Sequence, residues 1–274
     1  MTLISLLLVL ALERVVNKTR WWQKDTYQNQ YFGFLKERRL LAADTAVVNM
    51  LGLVLAPAAL LYLLLWQMDA PFLELIINTA ILMVCVGCAD VRSKYKGYLE
   101  ASSRGDEEAA FLYAQQLGYD PESDGSFGRF LVWVNYRHYG ALMLWFLVLG
   151  GAGAVFYQLS VGLLQRLKES QSDQAGDWYK LVEILDWLPA RITALGLLLV
   201  GHFSRALPVW MSLSADGDVS ARQLITQVAK SAEHVEADTP VCTEEACTMV
   251  IMAKRNMMLL LAAIAVFTLS GWVG

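Results

Sequence analysis

Long uncharged apolar runs alternate along this chain with charged, aromatic-rich stretches, and the runs exceed what a soluble core helix needs. A bilayer core ~30 Å thick takes ~20 mostly apolar helical residues. Four stretches approach or reach that length: Thr45–Trp66, Phe72–Ala89 with the single acid Glu74, Gly140–Leu164 and Met257–Val273. Two are weaker. Thr2–Leu12 spans only if Glu13 and Arg14 sit at the interface or pair inside the bundle. Ile192–Phe203 spans only if it extends back through Leu181–Pro189. No basic region precedes the first apolar run and no small-residue cleavage site follows it, so it reads as a retained helix. The pattern predicts an all-α, polytopic membrane helix bundle of four to six spans, one integral membrane domain over 1–274.

The intervening stretches also predict helices. Arg92–Glu100 is amphipathic. Asp106 is placed to cap a helix with Glu107 and Glu108 in its first turn and Phe111, Leu112 and Ala114 on one face. Tyr119–Gly128 reads as a turn-rich loop, Val219–Val235 as an amphipathic helix with Leu224, Ile225 and Val228 on one side, and Asp238–Cys247 as a polar linker. Trp21, Trp22, Tyr27, Tyr31 and Phe32 beside basic residues suit a helix lying at headgroup level. Basic residues cluster after the first helix (Lys18, Arg20, Lys24, Lys36, Arg38, Arg39), in Asp90–Tyr139 and at Lys254–Arg255. The positive-inside rule then puts these on the cytoplasmic face of a bacterial inner membrane, with 90–139 and 204–256 as cytoplasmic helical loops. Gln165–Asp186 breaks simple alternation. Gly150, Gly151 and Gly153 would resolve this by breaking the fourth run into a re-entrant segment.

Composition sharpens the class. Apolar residues make up 56% of 274 and charged residues 18%, against ~25% charged in ordinary soluble domains. A net charge of −4 with no basic excess excludes nucleic acid as an expected partner. Four cysteines in a chain this long do not make a disulfide scaffold.

Chemistry is expected where charge enters an apolar run, because an ionisable group there is costly. Glu183, Asp186 and Arg191 do so around Pro189 in EILDWLPARIT. The competing reading is an interface marker, with Arg191 snorkelling to phosphates. Asn135, Arg137 and His138, with Arg92 and Lys94, would suit an anionic ligand, although the positive-inside pattern alone accounts for the cations. Cys85 and Cys88 read as packing, and Cys242 and Cys247 as reduced thiols without a histidine at ligand spacing. His138, His202 and His234 form no triad, and His202 near Arg205 is the one of interest. No P-loop is present. No catalytic residue or metal ligand is predicted, and no cofactor is identified.

The segments MTLISLLLVLALER, GGAGAVFYQL, LDWLPARITAL and GHFSRALPVW, in order over most of the chain, resemble the AmpE family of inner-membrane proteins linked to β-lactamase induction. That family is similar in turn to the CobD/CbiB cobalamin-biosynthesis family, which joins adenosylcobyric acid to an aminopropanol unit and carries Asn-x-x-Pro-Ala-Arg-Leu-Thr after an acid-rich stretch. Pro189, Ala190, Arg191 and Thr193 match that motif, Glu183 stands at an acid position, and Asp186 replaces the Asn. The synthase pattern also needs acids on both sides of its central helix. Here no Asp or Glu lies between Asp124 and Glu169, and nucleotide-consuming amide synthesis normally uses carboxylates to hold magnesium and manage protons.

The resemblance implies a signalling protein of the β-lactam and cell-wall stress response that catalyses nothing. A cavity bounded by Glu13, Arg14, Asn135, Glu183, Asp186 and Arg191, with Arg137 and His202 as further ligand-binding candidates, is the expected site for a small molecule or peptidoglycan fragment. The bilayer is one partner and a regulatory protein a candidate second. The alternative is a membrane-bound amide-forming synthase of the cobalamin type. A third reading is a transporter, suggested by the glycine-interrupted fourth run.

Overall fold

The computed structural model describes residues 2–15, 22–38, 40–41, 46–68, 70–86, 89–233, 235 and 242–271. The side chains of Arg14 and Val15 lie outside the described residues, as do Lys18, Arg20, Trp21, Arg39, Cys88, His234 and residues 236–241. Helices run α1 Thr2–Val15, α2 Lys24–Glu37, α3 Val47–Trp66, α4 Pro71–Cys85, α5 Ala89–Ser103, α6 Glu107–Gln116, α7 Pro121–Asp124, α8 Phe127–Asn135, a π-helical turn Tyr136–Gly140, α9 Ala141–Glu169, α10 Ala175–Val200, α11 Phe203–Ala215, α12 Ala221–Ala232 and α13 Thr243–Leu269. No strand occurs among the described residues.

Three helical runs among them are long and apolar enough to cross a membrane: Val47–Trp66, Phe127–Glu169 and Thr243–Leu269. They become four if Pro71–Cys85 and Ala89–Ser103 form one bent span. Thr2–Glu13 is a shorter apolar helix. The last span begins well before the predicted Met257, because Glu244 and Glu245 sit in the first turn of α13, where carboxylates complement the helix dipole. Residues 243–247 of the expected Asp238–Cys247 linker are therefore the start of that helix, while 238–241 lie outside the described residues. Leu112 is exposed, and Ala110 and Ala114 form the buried face of α6. The expected turn-rich loop Tyr119–Gly128 holds the short helix α7 and the start of α8, because Asp120 caps the Glu122 amide and Pro121 stands at the first helical position. Asp106 accepts from the Ala109 amide at 2.9 Å, and α12 buries Leu224, Ile225 and Val228 behind a Ser220–Gln223 capping box.

The chain divides into two compact units. The first comprises Met1–Gly87, Leu142–Asp186 and Ile264–Gly274. Its core joins Phe32 and Leu35 of α2, Met50, Val54 and Ala58 of α3, Phe156, Leu163 and Leu167 of α9, and Trp178 and Val182 of α10. Pro57 lies inside α3 and has no amide to offer the Leu53 carbonyl four residues back. The Tyr31 hydroxyl donates to that carbonyl instead, at 2.7 Å. Gly150 interrupts α9 with φ 60° and ψ −148°, a backbone region essentially reserved for glycine. The break leaves the Gly151 amide to donate to the Asn78 side-chain oxygen at 2.8 Å.

The second unit comprises Cys88–Ala141 and Trp187–Ala263. It centres on α8, whose Phe127, Phe130 and Trp133 are buried, with α12 packed alongside. The Tyr98 and Phe127 rings pack tilted against each other, 4.6 Å between centroids, and α5 and α6 form a helical hairpin through the Ser103–Asp106 turn.

Candidate functional site

The helix that sequence singled out continues through its proline. Pro189 lies inside α10, which runs on to Val200, so Leu181–Pro189 and Ile192–Val200 are one element. On its first-unit part Asp186 is wholly buried. The equally buried Tyr157 of α9 donates its hydroxyl to Asp186 Oδ1 at 2.8 Å. Two turns earlier, Trp178 Nε1 donates to the Ser160 carbonyl at 2.9 Å and fixes α10 against α9. Glu183 is half-buried on the same helix, and Glu13 is buried near the end of α1.

On the second-unit part, the Arg191 guanidinium lies 4.1 Å over the Trp187 ring. Its Nε donates to the Ser214 carbonyl at 3.2 Å, Nη1 to the Trp187 carbonyl at 3.1 Å and Nη2 to the Asp216 carbonyl at 3.4 Å. Ser214 and Asp216 mark the C-terminal end of α11, whose last carbonyls have no helical donors. A cation is favoured there, and the planar fork can reach several acceptors at once. Arg191 therefore ties α11 to α10. Asn135 ends α8, and Arg137, in the π-helical turn beyond it, lies 4.9 Å over Trp133. His202 is exposed as the N-cap residue of α11, its amide donating to the Ala232 carbonyl at 2.7 Å.

Of the expected residues, the first unit thus holds Glu13, Glu183 and Asp186, and the second holds Asn135, Arg137, Arg191 and His202. Tyr157, Trp187, Ser214 and Asp216, which make the contacts, were not singled out by sequence reasoning. Only Tyr157 had a legible signal, since a hydroxyl in an uncharged run needs a partner.

A cavity of about 580 Å³ lies within the first unit, between α2, α4 and α9, a volume typical of small-molecule sites. Ala80, Ile81, Val84, Val155 and Leu159 give it apolar walls. Three of its polar contacts run through Gln158: Lys24 Nζ donates to Gln158 Oε1 at 3.3 Å, Gln28 Nε2 to the Gln158 carbonyl at 2.8 Å, and Gln158 Nε2 to the Cys85 carbonyl at 3.2 Å. A Cβ on Gly162 would fall 2.7 Å from the Gln28 amide, so glycine there lets α2 close on α9.

The second unit carries a polar knot. Buried Asp124 pairs with Arg222 and accepts the Asp120 amide at 3.0 Å. Ser126 donates to buried Glu245 and accepts from Arg129 Nε at 2.7 Å. Nearby Tyr119 donates to the Gly125 carbonyl at 3.2 Å. Burial, reinforced by the Asp124 and Glu245 charges, pushes its phenol up to about 12.

No group of three or more His, Cys, Asp or Glu among the described residues is arranged to hold a metal ion. The family model described as regulatory signalling modulator protein AmpE matches residues 1–273. Protein AmpE of Shigella flexneri is 28% identical over an alignment covering 99% of both chains. Cobalamin biosynthesis protein CobD of Chromobacterium violaceum is 29% identical over 58% of this chain and 54% of its own. No solved structure matches.

Proposed function

The chain belongs to the AmpE family, and from that premise we propose that it is a multi-pass inner-membrane regulator in the response to β-lactam and cell-wall stress, binding a small ligand without catalysis. The observation carrying this reading is the extent of the family match. It covers residues 1–273, whereas the likeness to the cobalamin protein stops at about half of each chain. The missing carboxylates between Asp124 and Glu169 support it from the chemical side. The ligand, a small molecule or peptidoglycan fragment, is assigned to charged and polar groups that the spans hide from lipid. Asp186 is the first to test, since a buried carboxylate needs partners. The bilayer is the constant partner, and a protein that relays the signal is the second.

The test is a β-lactamase induction reporter in a strain lacking this protein and complemented with it. Induction should shift with the wild-type chain, and shift less with Asp186→Asn at equal membrane abundance. An unchanged reporter with and without the chain refutes the regulatory reading. The second reading, an amide-forming synthase of the cobalamin type, is favoured by the Pro189–Thr193 match and by the partial likeness to CobD. Growth of a strain deficient in aminopropanol attachment, restored by this chain, would establish it in place of the first.

A further inference from the structure

We propose that the first-unit cavity beneath α2 binds the hydrocarbon chain of an anionic lipid, with the lipid phosphate on Lys24. Its polar groups come mainly from the α2 segment and Gln158, and Lys24, Gln28 and Gln158 are already linked to one another. The walls from Ile81, Val84 and Val155 offer side chains without donors or acceptors. A ligand polar all round would strand its own hydrogen-bonding groups against them. A ligand with one polar end and an apolar body meets both surfaces.

The rim defines which polar end. Among the described residues of the lining, the charge is the Lys24 ammonium, 3.3 Å from Gln158 Oε1. A phosphate oxygen beside that ammonium would accept a charge-assisted hydrogen bond. Trp22 and Tyr27 line the cavity while remaining 39% and 46% exposed. Aromatic rings of this kind settle at headgroup level. Trp22, just before α2, and Lys24 and Tyr27 in its first turn thus bring a cation and aromatic rings to a cavity with apolar walls, the combination a lipid phosphate and chain would meet. This binding stands independently of the regulatory role.

The test is native mass spectrometry of the full chain, purified in neutral detergent and incubated with equal amounts of phosphatidylglycerol and phosphatidylcholine of identical acyl chains. Wild type should carry phosphatidylglycerol in preference to phosphatidylcholine, whose choline offsets its phosphate, by about fivefold, the factor one lysine supplies near an anionic surface. Lys24→Gln should remove the preference and leave total adducts similar. Ala80→Phe, which fills the cavity from α4, should lower adducts of both lipids, with helicity by circular dichroism confirming the fold. Equal adducts on wild type, or a preference that survives Lys24→Gln, would overturn the proposal even if Ala80→Phe fails to fold. Displacement of the lipid by inorganic phosphate alone would also overturn it, by showing a site for a free anion.

Discussion

Replacing Gly150 by alanine tests whether the interruption of α9 is built into the fold. At φ 60° and ψ −148° the residue occupies a region that a Cβ makes costly, by about 1–3 kcal/mol. If α9 relaxed to a regular helix to avoid that cost, the Gly151 amide would turn away from Asn78. The buried asparagine oxygen would then lose its donor, at about 1–3 kcal/mol. Either route destabilises. Gly52 in α3 is the internal control, because it is helical and a Cβ there meets nothing within 4 Å. Gly52→Ala should stabilise by about 0.5–1 kcal/mol through helix propensity. Reversible unfolding in mixed detergent micelles, followed by ellipticity at 222 nm, would measure both. The two substitutions, identical in chemistry, should shift stability in opposite directions. Equal stability of Gly150→Ala and Gly52→Ala would refute the reasoning, since it would mean that α9 is as content straight as broken.

Tyr31→Phe should cost about 1 kcal/mol in the same assay by leaving the Leu53 carbonyl without a donor. In a Pro57→Ala background, which restores an amide to that carbonyl, the cost should shrink, and a double-mutant cycle showing no coupling would count against the explanation. Arg191→Lys keeps the charge but loses the fork that reaches Ser214, Trp187 and Asp216. Hydrogen exchange should quicken at the C-terminal end of α11 and stay unchanged in α2. The Tyr119 phenol should titrate near 12 against about 10 when unfolded. Between those values the native state keeps a proton that the unfolded chain has shed, so stability falls as pH rises through this window. Tyr119→Phe should remove one late step from the absorbance titration at 295 nm and flatten that slope.

The long apolar helices and the Asp106 cap were legible residue by residue, because apolar run length and capping are local properties. So was the glycine break, since Gly150, Gly151 and Gly153 in an uncharged run already signal a backbone that leaves the helical register. The matching segments around Pro189–Thr193 were enough to point to the family. Sequence could also say that Asp186 and Arg191 need company, but not which company. Asp186 meets Tyr157 and Arg191 meets the end of α11, partners about twenty to thirty positions away whose approach depends on how whole helices pack. Backbone carbonyls are invisible to a search for complementary side chains, which is why Ser214 and Asp216 were missed. The cavity beneath α2 is likewise a property of three helices far apart in the chain. Lys24, Ala80 and Leu159 carry no shared pattern, and only packing decides that the space between them stays open.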